Sequence, residues 1–216
     1  MKRIMGIDEA GRGCVIGPMV ICGVVVCHDR LRALVELGVK DSKLLSPQTR
    51  ESLCGGISSV IERSHIAEVP PQQIDKENIN ALGLRAIARM ITDAAPDEVY
   101  IDAPVRGRGI AAYCRKLRSL LPDPDLAIIA ENKADVNYPI VSAASIIAKV
   151  TRDSAIRKLY SDYGDFGSGY PSDPRTVQFV TDCYARTGGF PAIVRHKWLT
   201  VRRLASCEQF TFHFPD

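Results

Sequence analysis

The sequence predicts a mixed α/β sheet with helices packed on it and a helical C-terminal appendage. Three observations carry that reading. Three runs rich in β-branched residues precede Pro70, helical periods then alternate with short strand-like runs, and only loop and helix signals follow Gly167. With 216 residues, 46% of them hydrophobic and 25% charged, the chain suits one well-cored domain. We take residues 1–216 as that domain, with the core at about 1–165 and the helical region at about 166–206. A chain of this size buries roughly 70% of its unfolded surface, so it needs no covalent staples.

Ile4-Met5-Gly6-Ile7 reads as the first strand and leads through Asp8-Glu9 into a glycine-bearing loop that ends at Gly17-Pro18. Met19 to Cys27 is the second strand, which makes the pair a long-looped hairpin. A third strand around Ile57 to Val69 is closed by Pro70-Pro71. Asp75 reads as the N-cap of a helix whose apolar face carries Ile79, Leu82, Ala86, Ile87, Met90 and Ile91. Glu98 to Asp102 is a short buried strand, Gly109 to Leu120 a helix, and Leu126 to Ala130 another strand. An Ala- and Ile-rich helix follows Pro139 and runs to about Tyr160. Gly167 to Pro174 is a loop, Arg175 to Arg186 a helix stopped by Gly188-Gly189, and Lys197 to Ser206 a last helix.

Composition removes several classes. The seven cysteines are odd in number and never form Cys-x-x-Cys, which argues against a disulfide framework or a zinc site and for a reducing compartment. The longest apolar run, Val20 to Cys27, is far below the ~20 residues that span a bilayer. No signal-peptide core follows Lys2-Arg3, so a cytoplasmic protein is expected. Net charge is only +3, but ten Lys/Arg stand against five Asp between Lys149 and Arg203. That field suits phosphate backbones, or simply a solvated helical surface.

Four carboxylates occupy equivalent places. Asp8 and Glu9 close the first strand, Asp102 closes Val99-Tyr100-Ile101, and Asp135 lies between Ala130 and the Ala/Ile-rich helix. Ligands of open α/β sheets bind at the carboxyl ends of the strands, so these acids can converge. Converging carboxylates repel unless some hold protons or a cation joins them. Mg²⁺ or Mn²⁺ suits all-oxygen ligands, and two such ions about 3.5–4 Å apart can cleave a phosphodiester. Neighbouring residues of a regular strand face opposite ways, so the strand is expected to end at Asp8, which frees Glu9 to turn inward. His28, His65, His196 and His213 share no motif. That disfavours ribonuclease chemistry built on histidine acid–base pairs.

Gly6-Ile7-Asp8-Glu9-Ala10-Gly11-Arg12-Gly13, followed by Gly17-Pro18, resembles the opening motif of the type 2 ribonuclease H family, ribonuclease HII. The resemblance continues through Asp41-Ser42-Lys43, Ile74-Asp75, Asn78-Ile79-Asn80, Asp102, Lys133-Ala134-Asp135, Ala143 to Lys149, Arg152-Asp153 and Gly167 to Asp173. It implies the ribonuclease H fold, a five-stranded mixed sheet flanked by helices with a C-terminal helical region. It also implies ligation of two Mg²⁺ or Mn²⁺ ions by Asp8, Glu9, Asp102 and Asp135, and hydrolysis that leaves a 3′-hydroxyl and a 5′-phosphate. The substrates implied are the RNA strand of RNA/DNA hybrids and single ribonucleotides in duplex DNA, nicked on their 5′ side. By the same matching Gly11, Arg12 and Gly13 would contact the ribose 2′-hydroxyl, Tyr170 the neighbouring deoxyribose, and Lys43 and Lys149 the phosphates. A plain turn at Gly11 and Gly13, and a loop aromatic at Tyr170, are the competing structural readings. A monomer is implied too.

Cys14 stands where the family usually has proline, a change expected to loosen the glycine-rich loop. Arg195-His196-Lys197-Trp198 offers cations to a nucleic-acid backbone, with Trp198 as the anchor of the last helix. Gln209-Phe210-Thr211-Phe212-His213-Phe214 resembles, one residue short, the peptide by which replication enzymes dock on the sliding clamp. A junction resolvase-like metal nuclease and a non-catalytic duplex-binding module are the alternatives.

Overall fold

The computed structural model describes residues 1–39 and 45–207. Lys43 and the Gln209–Phe214 stretch lie outside the described residues. The elements run β1 (Arg3–Ala10), β2 (Met19–Cys27), α1 (Leu31–Glu36), α2 (Pro47–Val60), β3 (Arg63–Val69), α3 (Pro71–Lys76) and α4 (Ile79–Ala94). They continue with β4 (Glu98–Asp102), α5 (Gly109–Arg118), β5 (Ala127–Glu131), α6 (Ala134–Asn137), α7 (Pro139–Tyr163), α8 (Pro174–Thr187) and α9 (Leu199–Cys207). The five strands form one sheet in the order β3-β2-β1-β4-β5. β1 pairs antiparallel with β2 and parallel with β4, and β4 pairs parallel with β5. This is the five-stranded mixed sheet expected.

By packing, the chain forms two compact units. The first takes Met1–Ala10, Val20–Ala67 and Ile79–Thr151, and the second Gly11–Met19, Glu68–Asn78 and the chain from Arg152. In the first, Ile4, Val24, Ile57, Ala143, Ala144 and Ile147 belong to one buried cluster. Each fully buried Val, Leu or Ile contributes about 1.5–3 kcal/mol. The interior strand β2 shows no polar alternation, because residues Met19 to Val26 are buried whichever way they point. The second unit has its own cluster around Val15, Ile16, Ile156, Phe166, Val180 and Val194.

Glycine at position 6 is a packing requirement. A Cβ there would sit 2.5 Å from the carbonyl of Ile140, so only glycine lets β1 lie against the start of α7. Asp8 is two residues further along the same strand and therefore shares that face.

Several expectations are corrected. β1 does not stop at Asp8: it runs to Ala10, with Glu9 paired to Ile21 and Ala10 to Val20. Residues 57–60 end helix α2 rather than open a strand. Ser46 caps that helix by accepting the Thr49 N–H at 3.1 Å, and Pro47 occupies its first turn. Asp75 does not cap α4. It lies in α3, and its two oxygens accept the N–H groups of His196 (2.9 Å) and Lys197 (3.0 Å).

Candidate active site

Three of the four predicted acids meet in the first unit. Asp8, Asp102 and Asp135 each offer an oxygen, and these atoms all lie within 4.8 Å of one another. Asp8 comes from β1, Asp102 from the last position of β4 and Asp135 from the first turn of α6. The loops that carry the latter two are bound together. Asn132 donates to the carbonyls of Ala103 (3.1 Å) and Val105 (2.7 Å), and the Ala134 N–H donates to Asp102 Oδ1 at 3.2 Å. Lys133 takes a left-handed conformation, φ 64°, which turns the chain sharply into α6. Tyr138 donates to Glu131 at 2.9 Å and so ties the exit of α6 back to β5. Glu9 is half-buried and is not in the three-carboxylate group.

Burial dominates the electrostatics. Asp8 is 6% and Asp135 2% exposed. Burial, reinforced by the charge of Asp102, raises the Asp8 carboxyl from 3.8 to about 7, against the opposing pull of a Ser145 hydrogen bond, the Glu9 amide (2.7 Å) and Lys149. Lys149 donates to Ser145 Oγ at 2.8 Å, one turn along α7, so an ammonium–hydroxyl–carboxylate relay backs Asp8. The donor set is all oxygen, crowded and partly unable to ionise by itself, which fits a hard divalent cation.

The predicted substrate contacts Gly11, Arg12, Gly13 and Tyr170 come together in the second unit. Gly169 O accepts from the N–H groups of Val15 (2.8 Å) and Ile16 (3.2 Å), which joins the two glycine-rich loops. Tyr170 packs against the guanidinium of Arg152 (4.8 Å to the ring centroid), and its hydroxyl meets Cys14 and the Gly11 amide. Burial pushes that phenol up to about 12. Gly11 has a structural reason of its own: φ is +77°, and a Cβ would lie 2.7 Å from the Pro18 carbonyl. Gly13 has none, since a Cβ there meets no protein atom within 4 Å.

Two findings at this loop run against the sequence reading. Cys14 does not loosen it: its N–H donates to Gly11 O at 3.3 Å, a bond proline cannot make, and its thiol accepts from Arg152 at 2.9 Å. Arg195 offers no cation to a nucleic-acid backbone, because it is fully buried. Instead it donates to the carbonyls of Gly11 (2.7 Å), Arg12 (2.8 Å) and Gly17 (3.0 and 3.1 Å). Trp198 does anchor, packing on the second cluster with Arg195 5.0 Å above its ring.

Comparison with known proteins decides the family. The ribonuclease HII family model matches residues 5–201. The chain belongs to the ribonuclease HII family. A ribonuclease HII of Pyrococcus abyssi is 45% identical over 207 residues, 94% of this chain and 91% of that protein. The crystal structure of ribonuclease H2 from Pyrococcus horikoshii OT3 superposes with a TM-score of 0.86 at 40% identity, covering 97% of this chain and all of that one. The structure of a PCNA:RNase HII complex from Archaeoglobus fulgidus gives 0.82 at 42% identity, covering 93% and 96%. As a ribonuclease HII the chain is an endoribonuclease of the ribonuclease H type, a phosphodiester hydrolase whose family depends on divalent metal. Among the described residues no helix is long and apolar enough to cross a membrane.

The sequence assigned Ser145 and Arg152 no role of their own and read Arg195 only as one of a run of cations for a nucleic-acid backbone. The first was legible, since Ser145 and Lys149 lie four apart on one helix face. The buried arginines had no such signal, because the carbonyls that Arg195 meets lie 178 to 184 residues away.

Proposed function

We propose that this enzyme hydrolyses the RNA strand of RNA/DNA hybrids and nicks duplex DNA on the 5′ side of embedded ribonucleotides, leaving 3′-hydroxyl and 5′-phosphate ends. The observation that carries the proposal is the gathering of Asp8, Asp102 and Asp135 within 4.8 Å in a ribonuclease HII chain. These three carboxylates, with Glu9 as the fourth ligand of the family pattern, would hold Mg²⁺ or Mn²⁺, two ions in the catalytic state. Bound there, the ions supply Lewis-acid polarisation of the scissile phosphate and of the attacking water. The chain's own residues do the rest. Ser145 and Lys149 hold Asp8 oriented and favour its ionised form, and the family pattern makes Lys149 and Lys43 the contacts to the phosphates.

Gly11, Arg12 and Gly13 read the 2′-hydroxyl, the one group that separates ribose from deoxyribose. Support comes from Gly13, where the fold itself has no need of glycine, so close approach of a ligand is the remaining reason for it. Tyr170 presents its ring to the neighbouring deoxyribose. Residues 1–216 act as a single catalytic domain, as a monomer and in the cytoplasm. The Gln209–Phe214 stretch docks on a sliding clamp, a reading favoured by its glutamine-then-aromatics pattern and by the Archaeoglobus PCNA:RNase HII complex. Deleting Glu208 to Asp216 then abolishes clamp retention in a pull-down.

The test of the activity is a DNA duplex carrying one ribonucleotide, incubated with Mg²⁺ or Mn²⁺ and resolved on a denaturing gel. A single nick 5′ of the ribonucleotide is expected, lost on chelation, with the all-DNA duplex uncut. Cleavage that survives chelation, or that also cuts the all-DNA duplex, contradicts the proposal.

A further inference from the structure

A buried arginine is an unusual way to hold a loop. Taking a cation out of water costs several kcal/mol unless excellent geometry compensates it. Arg195 is 0% exposed, and its compensation comes from peptide dipoles: Nε, Nη1 and Nη2 together reach the carbonyls of Gly11, Arg12 and Gly17. The indole of Trp198, 5.0 Å from the guanidinium carbon, lies against the same group. Burial lowers this guanidinium to about 10, so it stays charged at neutral pH.

What this does to the loop follows from the peptide bond. Every peptide here is trans, so a carbonyl and the N–H of the next residue lie in one plane and point in opposite directions. Turning the Gly11 carbonyl toward Arg195 turns the Arg12 N–H away from it. Turning the Arg12 carbonyl inward does the same to the Gly13 N–H. The two consecutive donors thus aimed outward stand at Gly13, which is exposed and open to a ligand, and at its neighbour. The positive charge behind the two peptide groups also polarises them, which strengthens the outward donors.

We infer that Arg195 is the positioning residue for ribose recognition: it fixes the two peptide planes whose N–H groups meet the substrate's 2′-hydroxyl. The inference rests on the reading of Gly11-Arg12-Gly13 as the ribose contact. Lysine cannot replace it, because one ammonium does not span three carbonyls as the planar guanidinium fork does.

The experiment compares wild type, Arg195→Lys and Gly13→Ala in steady-state nicking of a single-ribonucleotide duplex, with the matched all-DNA duplex as competitive inhibitor. Nicking reports ribose recognition, and inhibition reports phosphate contacts. For Arg195→Lys, kcat/KM is expected to fall by about tenfold or more, the effect of one misaligned hydrogen bond, while the inhibition constant stays within about twofold. An unchanged kcat/KM, or an inhibition constant that weakens in the same proportion, overturns the inference. Gly13→Ala separates the two layers. If it leaves kcat/KM unchanged, the ribose reading fails and the inference with it; if it abolishes nicking while Arg195→Lys does not, only the role of Arg195 fails.

Should Arg195→Lys not fold, ¹⁵N-labelled wild type gives the answer. Its Arg195 Nε–H should exchange slowly with solvent, and the Arg12 and Gly13 amides should shift with the ribonucleotide duplex but not with the all-DNA one. Fast Nε–H exchange, or equal shifts with both duplexes, refutes the assignment.

Discussion

Replacing the acid at the centre of the site should make the metal-free protein more stable. In Asp8→Asn the carboxyl becomes an uncharged group of the same shape. The folded protein holds the Asp8 proton up to about pH 7, whereas the unfolded chain releases it near the ordinary 3.8. A folded-state pKa above the unfolded value means that, as far as Asp8 is concerned, the wild type is at full stability below pH 3.8. It then loses stability as pH rises toward 7 and levels off above that. Each pH unit in the window is worth 1.36 kcal/mol, so the full interval corresponds to about 4 kcal/mol. Asparagine does not ionise and carries none of this loss. Urea unfolding in chelator at pH 4, 5.5 and 8 should therefore show a variant advantage near zero at pH 4, about 2 kcal/mol at pH 5.5 and up to about 4 kcal/mol at pH 8. Saturating Mg²⁺ should stabilise wild type by mass action and stabilise the variant less. A variant less stable than wild type at pH 8, or an advantage independent of pH, would refute the reasoning.

Four further outcomes are expected. Asp102→Asn and Asp135→Asn should each slow nicking by roughly 10³-fold or more, since metal-borne charge stabilisation is worth several kcal/mol; circular dichroism should find the fold intact. Mg²⁺ affinity, measured by calorimetry, should rise about tenfold per pH unit up to 7 and then flatten, because Asp8 must lose its proton to serve as a ligand. Lys149→Met, which removes a charge that favours ionised Asp8, should move that break to higher pH. Finally, Gly6→Ala should destabilise by about 3 kcal/mol, since its Cβ meets the Ile140 carbonyl at 2.5 Å, whereas Gly13→Ala should leave the melting temperature unchanged.

The sheet and three of the acids were legible because their signals are local. Asp8 and Asp102 stand at the ends of apolar runs, and Asp135 falls between a strand and a helix. Helix α2 was hidden by Gly55-Gly56, which reads as a break, and by having Ile57 as its buried residue. The end of β1 was misplaced because it is set by the strand's register with β2 rather than by the glycines that follow. Asp75 and Arg195 were opaque for a different reason. Their partners are more than a hundred residues away, and a polar side chain satisfied by distant backbone looks in sequence like any exposed one. Chain-specific detail such as Cys14, accepting from Arg152 while its own N–H closes the turn, was likewise invisible until the loop had a shape.

The central claim is that a crowded acidic pocket is completed by divalent cations held on these particular side chains. Calorimetric titration of Mn²⁺ into wild type, Asp8→Asn, Asp102→Asn and Asp135→Asn at pH 7.5 tests it most directly. Each substitution is expected to weaken Mn²⁺ binding by at least about tenfold relative to wild type. Mn²⁺ affinity that is the same in all four proteins would contradict the account.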